Sequence, residues 1–150
     1  MTPHDMMLVM IERHTLAYLA GVIDGEASVY SPVSGRTRLS IGHTCYPMLE
    51  FCQSLAGGVV RVNKGWPVCS ANCTSPHVHS RVQKKVWAIS GTRAEVVLAN
   101  VFPYLIVKRA KVSVILEKAT VRLPSKYTKT QQAKVLLDME ERGWDLGTLP

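Results

Sequence analysis

The stretch Leu19-Ala20-Gly21-Val22-Ile23-Asp24-Gly25-Glu26 constrains this chain more than any other. Leu16, Leu19, Ala20 and Ile23 recur at helical spacing and give one apolar stripe. Thr15 carries a hydroxyl suited to the N-cap, where it accepts from a free amide of the first turn. Ala20 and Gly21 leave almost no side chain over part of the surface. A glycine inside a helix costs roughly 1 kcal/mol relative to alanine, so its presence predicts that another backbone packs closely against it. Gly25 is expected to end the helix, as a residue that tolerates left-handed geometry. Asp24 and Glu26 then sit at the negative end of the helix dipole. Carboxylates are disfavoured there unless something cationic binds them. The plainer alternative is an ordinary core helix with a glycine C-cap.

The rest of the chain reads as a series of short elements. Residues 1–13 form a lead-in with no assigned function. Ala27 to Val33 and Arg36 to Thr44 read as strands around a Ser34-Gly35 turn. Pro47 suits the first turn of a helix whose buried face is Met48, Leu49, Phe51, Cys52 and Leu55. Cys45 and Cys52 lie in apolar surroundings and read as small core residues. Gly57-Gly58 breaks this helix. Val59 to Lys64 is a third strand, residues 65–79 a loop, and Ser80 to Ser90 a fourth strand. Thr92 caps a helix running to about Val101. Phe102-Pro103 turns the chain into a helix from about Ile106 to Thr120. Ser125 to Glu141 is a polar helix anchored by Val135, Leu136 and Met139, within an extension over residues 123–150. From Gly143 the tail is expected to be irregular. The order is helix, two strands, helix, two strands, two helices and one extra helix, and no internal repeat is present.

Charge narrows the function. Over 150 residues the chain carries 18 basic and 11 acidic side chains, net +7. That length suits a single domain with a real core, spanning 1–150. The charge predicts a polyanionic partner, either nucleic acid or an anionic membrane surface. No apolar run approaches a membrane span, and Met6 to Met10 is too short for a signal peptide. The expectation is an intracellular protein of the cytoplasm, nucleoid or an organelle matrix, not a secreted one. Between Ser31 and Gly91 stand seven basic residues (Arg36, Arg38, Arg61, Lys64, Arg81, Lys84, Lys85) and one acidic residue, Glu50, a net +6. This region also reads as strands, so the basic face is a sheet. Arg and Lys suit phosphates and guanine edges, while Asn63 and Gln83 suit adenine. Arg81, Gln83 and Lys85 are expected to share one face of the fourth strand. The alternative is that these side chains merely face water.

The loop carries a separate signal, Cys69, Cys73, His77 and His79. Cys-x3-Cys falls within the spacing of structural zinc sites, although the two histidines are only two residues apart. The alternative is a hairpin tip with incidental thiols.

Leu19 to Ala27, with Tyr18 before and Ser28 after, resembles the signature of the LAGLIDADG homing endonucleases. Leu19, Ala20, Gly21, Ile23 and Asp24 match the motif, and Glu26 takes the place of the family's metal-binding acid. Ala27 departs from the usual Gly. Phe102-Pro103-Tyr104-Leu105-Ile106-Val107-Lys108 resembles a second landmark, a Pro-aromatic-Leu stretch leading to a lysine. The likeness covers about residues 14 to 122. It implies an α+β fold, one LAGLIDADG half with a curved four-stranded antiparallel sheet covered by helices. A single motif implies a homodimer paired through Leu19, Ala20, Gly21, Ile23 and Asp24. It implies Mg²⁺ at Glu26 and the Gly25 carbonyl, whose hard oxygens suit that ion. Lys108 would face the scissile phosphate, and His43 would order the attacking water or contact a phosphate. The activity implied is site-specific hydrolysis of double-stranded DNA, leaving short 3′ overhangs. The alternative is a cleavage-inactive RNA maturase or DNA-binding regulator, against which Glu26 argues.

Overall fold

The computed structural model describes residues 10–32, 35–63, 83–121 and 129–147. Helix α1 (Arg13–Glu26) runs directly into strand β1 (Ala27–Tyr30), which pairs with β2 (Arg38–His43). Helix α2 (Tyr46–Ala56), strand β3 (Val59–Val62) and strand β4 (Lys85–Ser90) follow. Helix α3 (Thr92–Val101), a short 3₁₀ turn (Phe102–Tyr104), helix α4 (Arg109–Val121) and helix α5 (Lys129–Glu141) complete the chain. The fold is α+β, with one antiparallel sheet in the order β1-β2-β4-β3.

Alternation along the strands decides the two faces of this sheet. Ala27, Val29, Leu39, Ile41, Trp87 and Ile89 point to one side, where they join Leu19, Ala20 and Ile23 of α1, Leu49 of α2 and Val97 of α3 in a single core. Trp87 is fully buried, and its indole N–H donates to the Gly57 carbonyl at 2.8 Å. Gly57 and Gly58 adopt φ of 72° and 90°, so the turn needs glycine twice. At Gly58 a Cβ would lie 2.6 Å from the Ala88 carbonyl oxygen, which excludes any side chain there.

Several elements differ from what local pattern predicts. Helix α1 starts at Arg13, and Glu12 occupies its N-cap without a side-chain hydrogen bond, so Thr15 lies inside the helix. Gly25 does not terminate α1. The helix continues through Glu26 and ends as Ala27 turns extended into β1. The strands are shorter than the apolar runs, because β2 and β4 stop where their partners do. Gly91, not Thr92, is the N-cap of α3. Cys45 is exposed, whereas Cys52 is buried and desolvation pushes its thiol up to about 11.

Residues 138–145 are held by partners far away in sequence. Trp144 is buried, and its indole donates to the Leu55 carbonyl at 2.8 Å. Asn100 Nδ2 donates to the Asp145 carbonyl at 2.9 Å, and the Asp145 amide returns a bond to Asn100 Oδ1. Asp138 on α5 accepts from Arg93 at 2.6 Å and from Arg142 at 3.0 Å. The Arg93 hydrogen bond, joined by Arg142, holds its carboxyl below the usual range against a smaller cost of burial. Met139 is fully buried, and Val135 and Leu136 pack beside it as their spacing predicts. No helix among the described residues is long and apolar enough to cross a membrane.

Candidate functional site

The two carboxylates at the end of α1 have different fates. Asp24 Oδ2 accepts the Ile106 amide at 2.7 Å, and Oδ1 accepts the Lys108 amide at 2.9 Å. Lys108 in turn gives its carbonyl to the Val112 amide at 2.9 Å, so it stands where α4 begins. Asp24 therefore caps the positive end of α4 from another helix, and the carboxylate at the negative end of α1 is compensated there. Helix α4 begins at Arg109, not at Ile106, because residues 106–108 are bent to meet this carboxylate. The Lys108 ammonium donates to the Asp24 carbonyl at 2.6 Å, one of the last carbonyls of α1 without an intrahelical partner.

Burial would by itself raise the Asp24 carboxyl. The amides of Ile106, Lys108 and Val107 outweigh it, helped by the Lys108 charge, and the net shift is downward. Asp24→Asn would turn an amide donor toward one of these amides. We expect it to cost about 1–3 kcal/mol, read as a lower midpoint in chemical denaturation. A group depressed in the folded state contributes stability that is fully present above its ordinary value of 3.8 and lost as pH falls through the lower folded value. The gap between wild type and Asp24→Asn should therefore be constant near neutral pH and close below that range.

Glu26 is treated differently. Its side chain is 49% exposed, and its ion-pair contact among the described residues is with His43 Nε2, 4.0 Å away. His43 ends β2, and its Nδ1 accepts the Cys45 amide at 2.8 Å. The end of α1 thus gathers Asp24, Gly25, Glu26, His43 and Lys108. Ala27 fits without distortion. Its backbone is extended and its Cβ joins the core, so this position does not demand glycine.

The five residues expected at a dimer seam separate. Leu19, Ala20 and Ile23 are fully buried within their own chain, so these three are corrected to intrachain roles, while Asp24 is partly buried and bonded to its own α4. Gly21 is exposed, and a Cβ built on it would meet nothing within 4 Å. Gly25 is the same and lies four residues on, along the same side of the helix. Ile106 and Val107, beside Asp24, are apolar yet 85% and 76% exposed.

The sheet face opposite the core is shallowly concave, lined by Val62, Val86 and Ala88 as well as by polar side chains. Ser28, Tyr30, Arg38, Ser40, Arg61 and Asn63 line it. Asn63 extends the ladder by one step, its amide donating to the Lys84 carbonyl at 2.9 Å. Arg36 lies before β2, beside Gly91. Lys85 is a correction. It has the parity of buried Trp87, and its ammonium sits 4.2 Å from the Tyr46 ring centroid on the helix side. Lys84, which side-chain pattern did not select, stands beside Gly42 and Val86 on the open face. Trp87 was the signal that could have found it, since an apolar aromatic fixes which parity faces inward. The Gln83 carbonyl accepts the Tyr46 hydroxyl. Lys64, Arg81, Cys69, Cys73, His77 and His79 lie outside the described residues. Among the described residues, no group of three or more His, Cys, Asp or Glu side chains could hold a metal ion.

No protein-family model matches this chain, and no curated protein matches it. Among solved structures it is similar to the homing endonuclease I-CvuI in complex with the I-CreI target in the presence of Mg, where the DNA is not cleaved. There the TM-score is 0.50 at 21% identity, over 85% of this chain and 78% of that one. It is equally similar to I-CvuI in complex with its own target in the presence of Ca, at TM-score 0.50 and 21% identity, over 88% of this chain and 83% of that one. The likeness establishes the fold.

Proposed function

We propose that this chain is a site-specific endonuclease for double-stranded DNA, acting as a homodimer with Mg²⁺. The observation that carries the reading is the division of labour at the end of α1. Asp24 is consumed as a structural cap, while Glu26 is half exposed and faces a histidine, at the rim of a basic sheet. A carboxylate held at a negative helix end, whose ion-pair contact among the described residues is His43 at 4.0 Å, suits a cation brought in with substrate. One carboxylate and the Gly25 carbonyl are few ligands, and Mg²⁺ accepts such a set when phosphate oxygens and water complete the shell. When bound, the ion activates water and stabilises the leaving oxygen. The chain itself positions Glu26 at the end of α1, fixes the Lys108 ammonium on the Asp24 carbonyl, and presents Arg38, Arg61 and Lys84 to phosphates. The I-CvuI structures are complexes with target DNA in the presence of Mg or Ca, which supports the same assignment here. Pairing through the open Gly21–Gly25 side of α1 would bring two Glu26 residues together, one for each strand.

Selection of cleaved sites from a random duplex library, with and without Mg²⁺, tests the activity directly. Binding is expected to be driven by phosphate contacts, so log affinity should fall linearly with log salt. Arg61→Ala should reduce that slope by roughly one, and cost about 1–3 kcal/mol at a single base position if Arg61 reads a base edge. Binding that does not respond to salt would contradict the basic sheet as the interface.

A further inference from the structure

We propose that His43 works as a hydrogen-bond donor through Nε2–H, and that the backbone amide of Cys45 holds it in that tautomer. For its role in catalysis this rests on the nuclease reading above; its geometry does not. A neutral imidazole has one nitrogen that donates and one that accepts. The Cys45 N–H points at Nδ1 from 2.8 Å, which makes Nδ1 the acceptor and leaves the proton on Nε2. Turning the ring over would set a C–H against that amide, so one orientation satisfies it.

The amide is available for this purpose and is rigidly aimed. Cys45 is the N-cap of α2. Its carbonyl receives the Leu49 amide at 3.4 Å, but its own N–H lies before the helical ladder. Pro47 sits in the first turn, the Tyr46 hydroxyl is bonded to the Gln83 carbonyl, and Lys85 covers the Tyr46 ring. These contacts fix the start of α2, and hence the direction of the amide.

Nε2 faces Glu26 Oε2 at 4.0 Å. That is too long for a direct hydrogen bond, and is a separation that one water molecule can bridge. Such a water accepts from Nε2–H and donates to the Glu26 carboxylate, which turns its remaining lone pair outward. Both ring nitrogens are then engaged, so the imidazole is not the base for this water. On attack the water oxygen bonds to phosphorus and the ester P–O bond breaks. The water's proton leaves to solvent, the departing alkoxide takes a solvent proton, and His43 keeps its own.

The test begins with the tautomer, read by long-range proton–nitrogen correlation in the full-length protein without DNA or metal. The expected pattern is a protonated Nε2 and an unprotonated Nδ1 for His43; a dominant Nδ1–H form overturns the proposal. Cys45→Pro deletes the N–H at a residue whose φ of −80° already suits proline. It should abolish the tautomer preference, while Cys45→Ala should preserve it. A Cys45→Pro protein that folds and keeps the preference shows that the amide does not set it. The chemical role is separated by rescue. His43→Ala should lower cleavage by about 10²–10³-fold. His43→Gln, which restores an N–H donor but supplies no base, should recover to within about tenfold of wild type. A Gln variant as inactive as Ala overturns the donor role. A wild-type protein that cuts no duplex overturns the nuclease reading instead, and leaves the tautomer assignment standing on its spectra.

Discussion

Glu26→Gln protein is expected to bind duplex DNA and to fail to cut it. In the dimer proposed here, two Glu26 side chains meet below the ends of two helices. The helix dipoles there are negative, and so are the phosphates. Without a divalent ion this cluster repels both itself and the DNA. Gln keeps the shape and removes two charges per dimer, so affinity in metal-free buffer should hold or improve. Cleavage should fall by about a thousandfold or more. A metal ion is worth several kcal/mol at the transition state, and about 1.4 kcal/mol is a factor of ten. The side chain is half exposed and supports no internal hydrogen bond among those described, so the variant should fold normally. Single-turnover cleavage in Mg²⁺, with duplex binding measured in parallel, decides the matter. A folded Glu26→Gln dimer that cuts at the wild-type rate would refute the assignment.

Gly21→Leu is expected to give a folded monomer without cleavage activity. The space over Gly21 is open, so a larger side chain clashes with nothing in its own chain. Leucine is also a better helix former than glycine, by roughly 0.5–1 kcal/mol, so the isolated chain should become more stable. A glycine retained at that cost in a solvent-facing helical position needs a reason outside the chain, and a second α1 packed against it is one. The exposed Ile106 and Val107 lie beside Asp24 near the same end of α1, where a second α1 would cover them. Sedimentation and thermal unfolding together separate the outcomes. A Gly21→Leu protein that still sediments as a native-like dimer would place the seam elsewhere. One that unfolds would show that the helix lacks the room that the structure assigns to it.

Much of the architecture is legible in local pattern. The 3.6-residue period of Leu16, Leu19, Ala20 and Ile23 identifies α1, and Gly57-Gly58 marks the turn into β3. The basic residues between Ser31 and Gly91 point to the sheet, and Arg38, Arg61 and Lys84 stand on its open face. These signals are local because a helix or strand buries side chains at a fixed interval, and that interval is written in consecutive residues. Element ends are less legible. Gly25 looks like a stop, yet nothing about α1 ends until Ala27 enters the β1 ladder.

What the sequence alone determined is the inventory: the order of elements, two carboxylates at the end of one helix, a lysine after a Pro-aromatic-Leu turn, and a net positive charge. What only the tertiary structure decided is which way each of these groups is turned. Asp24 is taken by amides 82 and 84 residues away, which leaves Glu26 as the exposed acid. Lys84 and Lys85 are adjacent, but the pairing of Trp87 with Ile41 across β2 and β4 turns one toward the open face and the other toward α2. The apolar stripe of α1 is the chain's own core, and its glycines, not its leucines, face outward. Trp144 docks on Leu55 from 89 residues away, which ties the irregular segment after α5 to the core. In each case a side chain's availability depends on partners distant in sequence, and the local period that writes a helix or a strand carries no record of them.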